Sequence, residues 1–304
     1  MKLYTVIVSY NAVAWIEKCV GSLRRSSLQT EIVVVDNNSS DTTISMLKEQ
    51  FPEVILFAET ENLGFGKANN VGIQYALENN ADYIFLLNQD AHVDSDCLEH
   101  LVGVAEKNRQ YGIISPMQYY SQQKLDFLFE NFCARYAPEM LSDNPLKPVY
   151  EISFVNAAVW LIRASCARKA GLFNPVFSHY GEDREYAARV LYHGYKLAIA
   201  TDAVAYHERK QKSFLHANPS VKQETAKLYN IAVAFASDIN HNYLRQLIVA
   251  KLFVGKNVLK GIAMLRFQSL FVGPKVLFKL AANSFSIAKS RKAIRKEGAF
   301  LAAP

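Results

Sequence analysis

Three strings near the start of the chain carry side chains whose types and spacing suit nucleotide chemistry. The first, VVVDNNSSD over 33–41, ends an apolar run in an acidic residue. A carboxylate at the carboxyl end of a parallel strand faces the crevice in which open α/β sheets bind ligands, so Asp36 can accept hydrogen bonds from a base N–H or a ribose hydroxyl. Asn38, Ser39 and Asp41 shape the turn that follows, although the same residue types also build an ordinary capped strand-to-helix turn. The second string, NLGFGKANNVG over 62–72, has glycines at 64, 66 and 72. Asn69 stands where a dinucleotide fingerprint needs glycine, and the ending of a phosphate loop is missing. A glycine pair opening a helix still lets backbone N–H groups approach an anion, while a helix start that needs φ > 0 accounts for it equally. The third, YIFLLNQDA over 83–91, is an apolar strand that stops at Asn88, Gln89 and Asp90. Oxygens at alternate positions of a strand end point to one side, as a hard cation and diphosphate oxygens require, and Mg2+ needs only one or two protein carboxylates. A polar strand terminus is the plainer alternative.

Those residues need a sheet to hold them. Short β-branched runs alternate with helical patterns through the first hundred residues, the pattern of βαβ units. Strands are expected at 4–9, 31–36, 54–58 and 83–87, and helices at 14–25, 42–50 and 65–78. The short connections make the strands mostly parallel. A helix over 94–109 and a strand near Ile113 should follow. The stretch 117–150, with prolines and scattered aromatics, reads as an irregular excursion or flap. Regular structure returns over 150–162, then a helix over 182–193 closed by Gly194, then a strand over 196–200. From Gln223 the pattern is helical almost to the end, broken at Gly273 and Pro274.

Bulk properties bound the function. At 304 residues, 50% hydrophobic and 20% charged, the chain is neither disordered, nor collagen-like, nor a small stapled scaffold. Cysteines at 19, 97, 133 and 166 have no zinc or disulfide spacing, which fits a reducing cytosol, and the apolar N-terminal run is too short for a signal-peptide core. The net charge is +6. From Val221 onward there are 14 basic and 3 acidic residues, a net of +11, which leaves 20 basic and 25 acidic residues, a net of −5, in the first 220. An acidic body with a basic tail argues against nucleic acid as a partner. Between Arg245 and Arg266 lie five basic residues and no acid, all within one half of a helix circumference. The apolar runs between them are too short for a span of about 20 residues. The expectation is a basic helix lying on an anionic membrane surface, the alternative a helical bundle with a solvated basic face.

Read in order, the three strings resemble the nucleotide-sugar domain of family-2 glycosyltransferases, inverting enzymes with the GT-A fold. The likeness begins at TVIVSYN and extends to about residue 210. It implies an α/β GT-A fold, a mostly parallel Rossmann-like sheet with helices on both faces, followed by a basic helical extension. The catalytic domain would span 1–220, with its nucleotide part over about 1–116 and its acceptor part over 117–220. Residues 221–304 would form the membrane-associating region.

The resemblance also implies roles. Asp36 would bind the nucleobase, with Ser9, Asn11, Asn38, Gly64 and Asn69 around the donor nucleotide. Asp90 would be the final Asp of a D-x-D-like metal motif whose first Asp is replaced by Asn88, as in the rhamnosyltransferase-like branch. FSHYGEDREYAARV over 177–190 resembles the family's glutamate-aspartate motif, which makes Asp183 the catalytic base beside Glu182, and helix capping is the alternative. His207 would contact the metal or diphosphate. Asn156, Ala157 and Trp160 are acceptor-side candidates, with core packing an equal alternative for Trp160. The implied cofactor is Mg2+ or Mn2+. The implied reaction moves a sugar, rhamnose by the NQD variant, from a nucleoside diphosphate to a glycan or lipid-linked glycan in bacterial surface polysaccharide synthesis, on the cytoplasmic face of the plasma membrane. The competing readings are a transferase for uridine-diphosphate hexoses and a catalytically inactive nucleotide-sugar-binding scaffold.

Overall fold

The structure is a computed structural model describing residues 1–121, 124–141, 147–177, 179–208, 220–264 and 266–301. Its first half alternates β1 (Leu3–Ser9), α1 (Ile16–Arg24), β2 (Glu31–Asp36), α2 (Thr43–Gln50), β3 (Ile55–Ala58), α3 (Phe65–Glu78) and β4 (Tyr83–Leu87). Strands β3, β2, β1 and β4 lie side by side and parallel. Alternation along each strand feeds two faces. In β1, Leu3 and Ile7 join a core with α1, α2 and the helix α4 (Cys97–Lys107). Tyr4 and Val6 point the other way, into a core with α3, α6 (Ala164–Ala170) and α7 (Glu182–Tyr192). Helices therefore cover both faces.

The sheet continues with β5 (Ala91–Val93), β6 (Tyr111–Ser121), β7 (Lys124–Leu125), β8 (Val149–Ile152), β9 (Val159–Arg163) and β10 (Lys196–His207). β6 and β10 are parallel, whereas β9 enters antiparallel between β4 and β6. The segment expected as one regular run over 150–162 is two strands at different places in the sheet, with a turn between them. The stretch expected to be irregular holds the end of β6, helix α5 (Phe127–Tyr136) and a 3-10 turn (Pro138–Leu141). Asp126 caps α5, its Oδ1 accepting from the N–H groups of Leu128 and Phe129 at 3.0 Å each. Residues 122, 123 and 142–146 of that stretch lie outside the described residues. All four cysteines are buried and free.

Beyond β10 come α8 (Val221–Ser237), α9 (Tyr243–Ala263), α10 (Ser269–Ala282) and α11 (Ser284–Ile294). Ser220 and Gln223 form a capping box at the start of α8, the reciprocal pairing that an S-x-x-Q string offers. The break expected at Gly273 and Pro274 is absent, because Pro274 sits inside α10. Packing overrides the missing N–H: a Cβ on Gly273 would lie 2.4 Å from Val258 Cγ2, so the glycine lets α9 and α10 approach closely. α9 ends before Arg266, which therefore does not share its basic face. The four helices enclose a core of their own that includes Phe177.

Candidate functional site

Parallel pairing sets the strand ends side by side. Ser9 and Asp36 are register partners in β1 and β2, and their side chains meet: Ser9 Oγ donates to Asp36 Oδ2 at 2.7 Å. Ser39 donates twice more to the same carboxylate, from its N–H at 2.8 Å and its hydroxyl at 2.6 Å. Asp36 has no exposed surface. Its visible work is to bind the turn after β2 to the end of β1, and with no surface exposed its oxygens meet a nucleobase only if a covering group moves aside. Asn11 completes the clasp by accepting from the Ser40 N–H at 2.9 Å. Asn11 and Asn38 both stand exposed with positive φ, 49° and 65°.

The second string is tied to the same turn. Asn37 donates to Asn62 Oδ1 at 3.0 Å and accepts from the Leu63 N–H at 2.7 Å. Gly64, with φ of 79°, opens α3 without any side-chain cap, which leaves the first-turn N–H groups suited to an anion. Asn69 does not join this group. It is buried, and its amide donates to the Phe65 carbonyl at 2.9 Å inside α3.

β5 follows NQD directly and pairs antiparallel with β10, with Ala91 opposite His207. That register carries His207 to the third string. His207 Nε2 lies 3.2 Å from Asp90 Oδ1 and 3.5 Å from the Asn88 amide nitrogen. Gln89 points elsewhere, accepting from the Tyr10 N–H at 2.6 Å and donating to the Tyr10 carbonyl at 3.2 Å. Behind the imidazole, Asp126 Oδ2 is 3.8 Å from His207 Nδ1. Asp126 was not among the candidates from sequence, and its only sequence signal is its place as a cap before FLF. Among the described residues no cluster of three or more His, Cys, Asp or Glu side chains is arranged to hold a metal ion. Asp90 and His207, with the Asn88 amide, nevertheless fit a hard cation that takes its remaining ligands from phosphate oxygens and water.

The third component is the start of α7. Gly181 precedes it with φ of 94°, a conformation costly to any other residue type. Asp183 accepts from the Arg184 N–H at 2.8 Å. Burial raises its pKa above the usual carboxylate value, against the opposing pull of the Arg184 charge and of backbone N–H groups from Arg184 and Ala157. Glu182 is only 5% exposed, and its Oε2 has no hydrogen-bond partner. Burial first, and the Asp183 charge second, push its pKa up to about 7. A Cβ on Gly66 would lie 3.7 Å from Glu182 Cβ and Cγ. The start of α3 and the start of α7 are therefore in contact, and the three strings and the glutamate-aspartate pair share one region.

Two acceptor-side candidates separate. Asn156 is close to Asp183 through its neighbour Ala157, and its Oδ1 is buried without a partner. Trp160 is a correction: it is fully buried, stacked at 6.4 Å on Phe173 and 6.2 Å on Tyr186. Its position in β9 turns it into the core, so it contributes no surface. Arg184, which sequence reasoning passed over, stacks over Phe154 at 4.0 Å and Phe235 at 4.9 Å and reaches the Tyr136 hydroxyl at 3.3 Å. It gathers α5, the loop before β9 and α8 around the start of α7.

Comparison with known proteins agrees with this layout. The family model described as Glycosyl transferase family 2 matches residues 4–165. The chain is 31% identical over 100 residues to the dTDP-rhamnosyl transferase RfbF of Shigella flexneri, covering 33% of each chain. It is 21% identical over 218 residues to the O-antigen chain rhamnosyltransferase RfbN of Salmonella typhimurium, covering 68% of this chain and 66% of that one. Among solved structures, S. aureus TarS 1-349 in complex with UDP-GlcNAc superposes with a TM-score of 0.60 at 14% identity, covering 97% of this chain and 90% of that one. The mannosyltransferase PcManGT from Pyrobaculum calidifontis, in complex with GDP-Man and Mn2+, gives 0.59 at 16%, covering 95% and 77%. These likenesses establish the GT-A fold. The matched segment runs from β1 to the start of α6 and carries Asp36, Asn88 and Asp90, and on that basis the chain belongs to glycosyl transferase family 2.

Proposed function

We propose that this protein is an inverting glycosyltransferase that moves rhamnose from a nucleoside diphosphate to a hydroxyl of a glycan or lipid-linked glycan. The observation that carries the reading is the start of α7, where Asp183 has a raised pKa and its neighbour Glu182 packs against the start of α3. A general base works best when its pKa lies near the working pH, and burial moves Asp183 in that direction. Asp183 takes the proton of the acceptor hydroxyl as its oxygen attacks the anomeric carbon. The nucleoside diphosphate leaves from the opposite face, so configuration inverts, through an oxocarbenium-like transition state. Asn156 and the loop before β9 border the base and orient the acceptor.

Asp90 and His207, with Asn88 beside them, would hold a divalent cation, which when bound neutralises charge on the departing diphosphate. Mn2+ in the PcManGT structure supports that choice. The two relatives described as rhamnosyl transferases support the sugar, and the term O-antigen in one of them supports a surface-polysaccharide acceptor. The test is incubation with dTDP-rhamnose, Mn2+ and candidate acceptors, with the product anomer read by NMR. An inverted rhamnoside formed by the wild type and not by Asp183→Asn is expected. Binding of the donor without any transfer or hydrolysis would make the chain a scaffold.

A further inference from the structure

The C-terminal helices expose apolar side chains where a bundle in water would present polar ones. In α9, Leu244, Ile248, Leu252 and Leu259 are all exposed, Leu252 to 67%. At 100° per residue they fall within about a quarter of the circumference. Exposed Lys251 flanks that strip on one side, and exposed Arg245, Lys256 and Lys260 flank it on the other. α10 repeats the pattern with Leu270, Leu277, Phe271 at 66% and Phe278 at 75%, bordered by Lys275 and Lys279. Phe285, at the start of α11, is 81% exposed.

The two strips open on a common side. Phe253 of α9 meets Phe235 of α8 with ring centroids 4.9 Å apart, and Val258 of α9 covers Gly273 of α10. Lys279 reaches back over the Tyr229 ring of α8 at 5.7 Å. These contacts fix the inward arcs, so the outward arcs of α9 and α10 both face away from α8, which itself packs on α7. A contiguous exposed patch of large apolar side chains marks an interaction surface.

Charge selects the occupant. Between Asp238 and Glu297 stand twelve Lys or Arg and no acidic residue. A second copy of this face would meet its own charge, whereas an anionic headgroup layer over an apolar interior complements both features. No helix among the described residues is long and apolar enough to cross a membrane, which leaves the surface of the bilayer.

We propose that the outer face of α9 and α10 docks on an anionic lipid bilayer, its leucines and phenylalanines entering the boundary between headgroups and acyl chains while the flanking Lys and Arg pair with lipid phosphates. The inference goes beyond the proposed transfer reaction and is tested without any sugar, so either can fail alone. The experiment floats the full chain with vesicles of phosphatidylcholine, or of phosphatidylcholine with phosphatidylglycerol, at rising salt. Binding only to the mixed vesicles, weakening with salt, is expected. The triple variant Lys251→Glu, Lys256→Glu, Lys260→Glu should lose about 100-fold in affinity or more. The double variant Phe271→Ser, Phe278→Ser should lose about tenfold or more. All five side chains are exposed, so melting temperatures should hold. Equal binding to both vesicles, no binding, or variants that bind like the wild type would overturn the proposal. So would a wild-type dimer in sedimentation that the phenylalanine variant dissolves, since the face would then belong to a second copy.

Discussion

Asp90 Oδ1 and His207 Nε2 stand 3.2 Å apart, brought together by the antiparallel register of β5 and β10. With Asp126 3.8 Å behind the imidazole, the row has the form of a ligand oriented by an outer carboxylate. Asp126→Asn isolates that role, because asparagine caps a helix as well as aspartate does. Mn2+ affinity measured by calorimetry in the presence of a nucleoside diphosphate should fall roughly tenfold or more, with the melting temperature almost unchanged. A large loss of stability with unchanged Mn2+ affinity would reduce Asp126 to a cap.

Asp183→Asn removes the proposed base and keeps its shape. Transfer should drop about 10² to 10⁴-fold in kcat, while nucleotide affinity stays near the wild-type value. Turnover within tenfold of wild type would take the role away from Asp183.

The pair of carboxylates gives a pH signature. Asp183 must be ionised to accept a proton, and its pKa is raised, so kcat should fall on the acid side with a midpoint above the ordinary aspartate value. Glu182→Gln mimics the protonated Glu182 and should leave that limb in place, because the Asp183 charge raises Glu182 and not the reverse. Stability should respond as well. Glu182 is raised to about 7 in the folded chain, so its contribution is complete below the unfolded pKa and is lost as pH rises through about 7. The wild-type melting temperature should therefore decline between pH 5 and 8 more steeply than that of Glu182→Gln. Parallel curves would contradict the assignment.

Asp36 is predicted to matter twice. Asp36→Ala strands three donors from Ser9 and Ser39, a cost of about 2–4 kcal/mol at roughly 1 kcal/mol or more for each donor. Chemical denaturation should show that loss together with weaker nucleotide binding. Weaker binding at unchanged stability would instead mean that the carboxylate serves the nucleobase alone.

Local signals made the parallel half of the sheet readable, because each strand there is a short, largely apolar run ended by turn residues and each connection is short. Asp36, Asn88 and Asp90 could be located for the same reason, since strand order decides which carboxyl ends meet. The antiparallel entry of β9 was not legible. It depends on pairing with β4 and β6 over a large sequence separation, and nothing local in VWLIR states its direction. Trp160 fails as a surface residue on the same ground, because alternation along β9 is unambiguous only once the sheet is known. Asp126 and Arg184 were hidden because their partners, His207 in one case and Phe154 and Phe235 in the other, are distant in sequence. Pro274 misled because helix propensity is local and the close contact between Gly273 and Val258 is not.

A Cβ on Gly181 would lie 2.7 Å from the carbonyl oxygen of Asn230, so a helix of the basic tail presses on the residue that opens α7. Net charge divides this chain at residue 220, but packing does not. A layer that shapes the start of α7 cannot be exchanged between enzymes as a cassette. The proposed membrane face and the proposed reaction centre are inherited here as one piece, and a change in either is felt by the other.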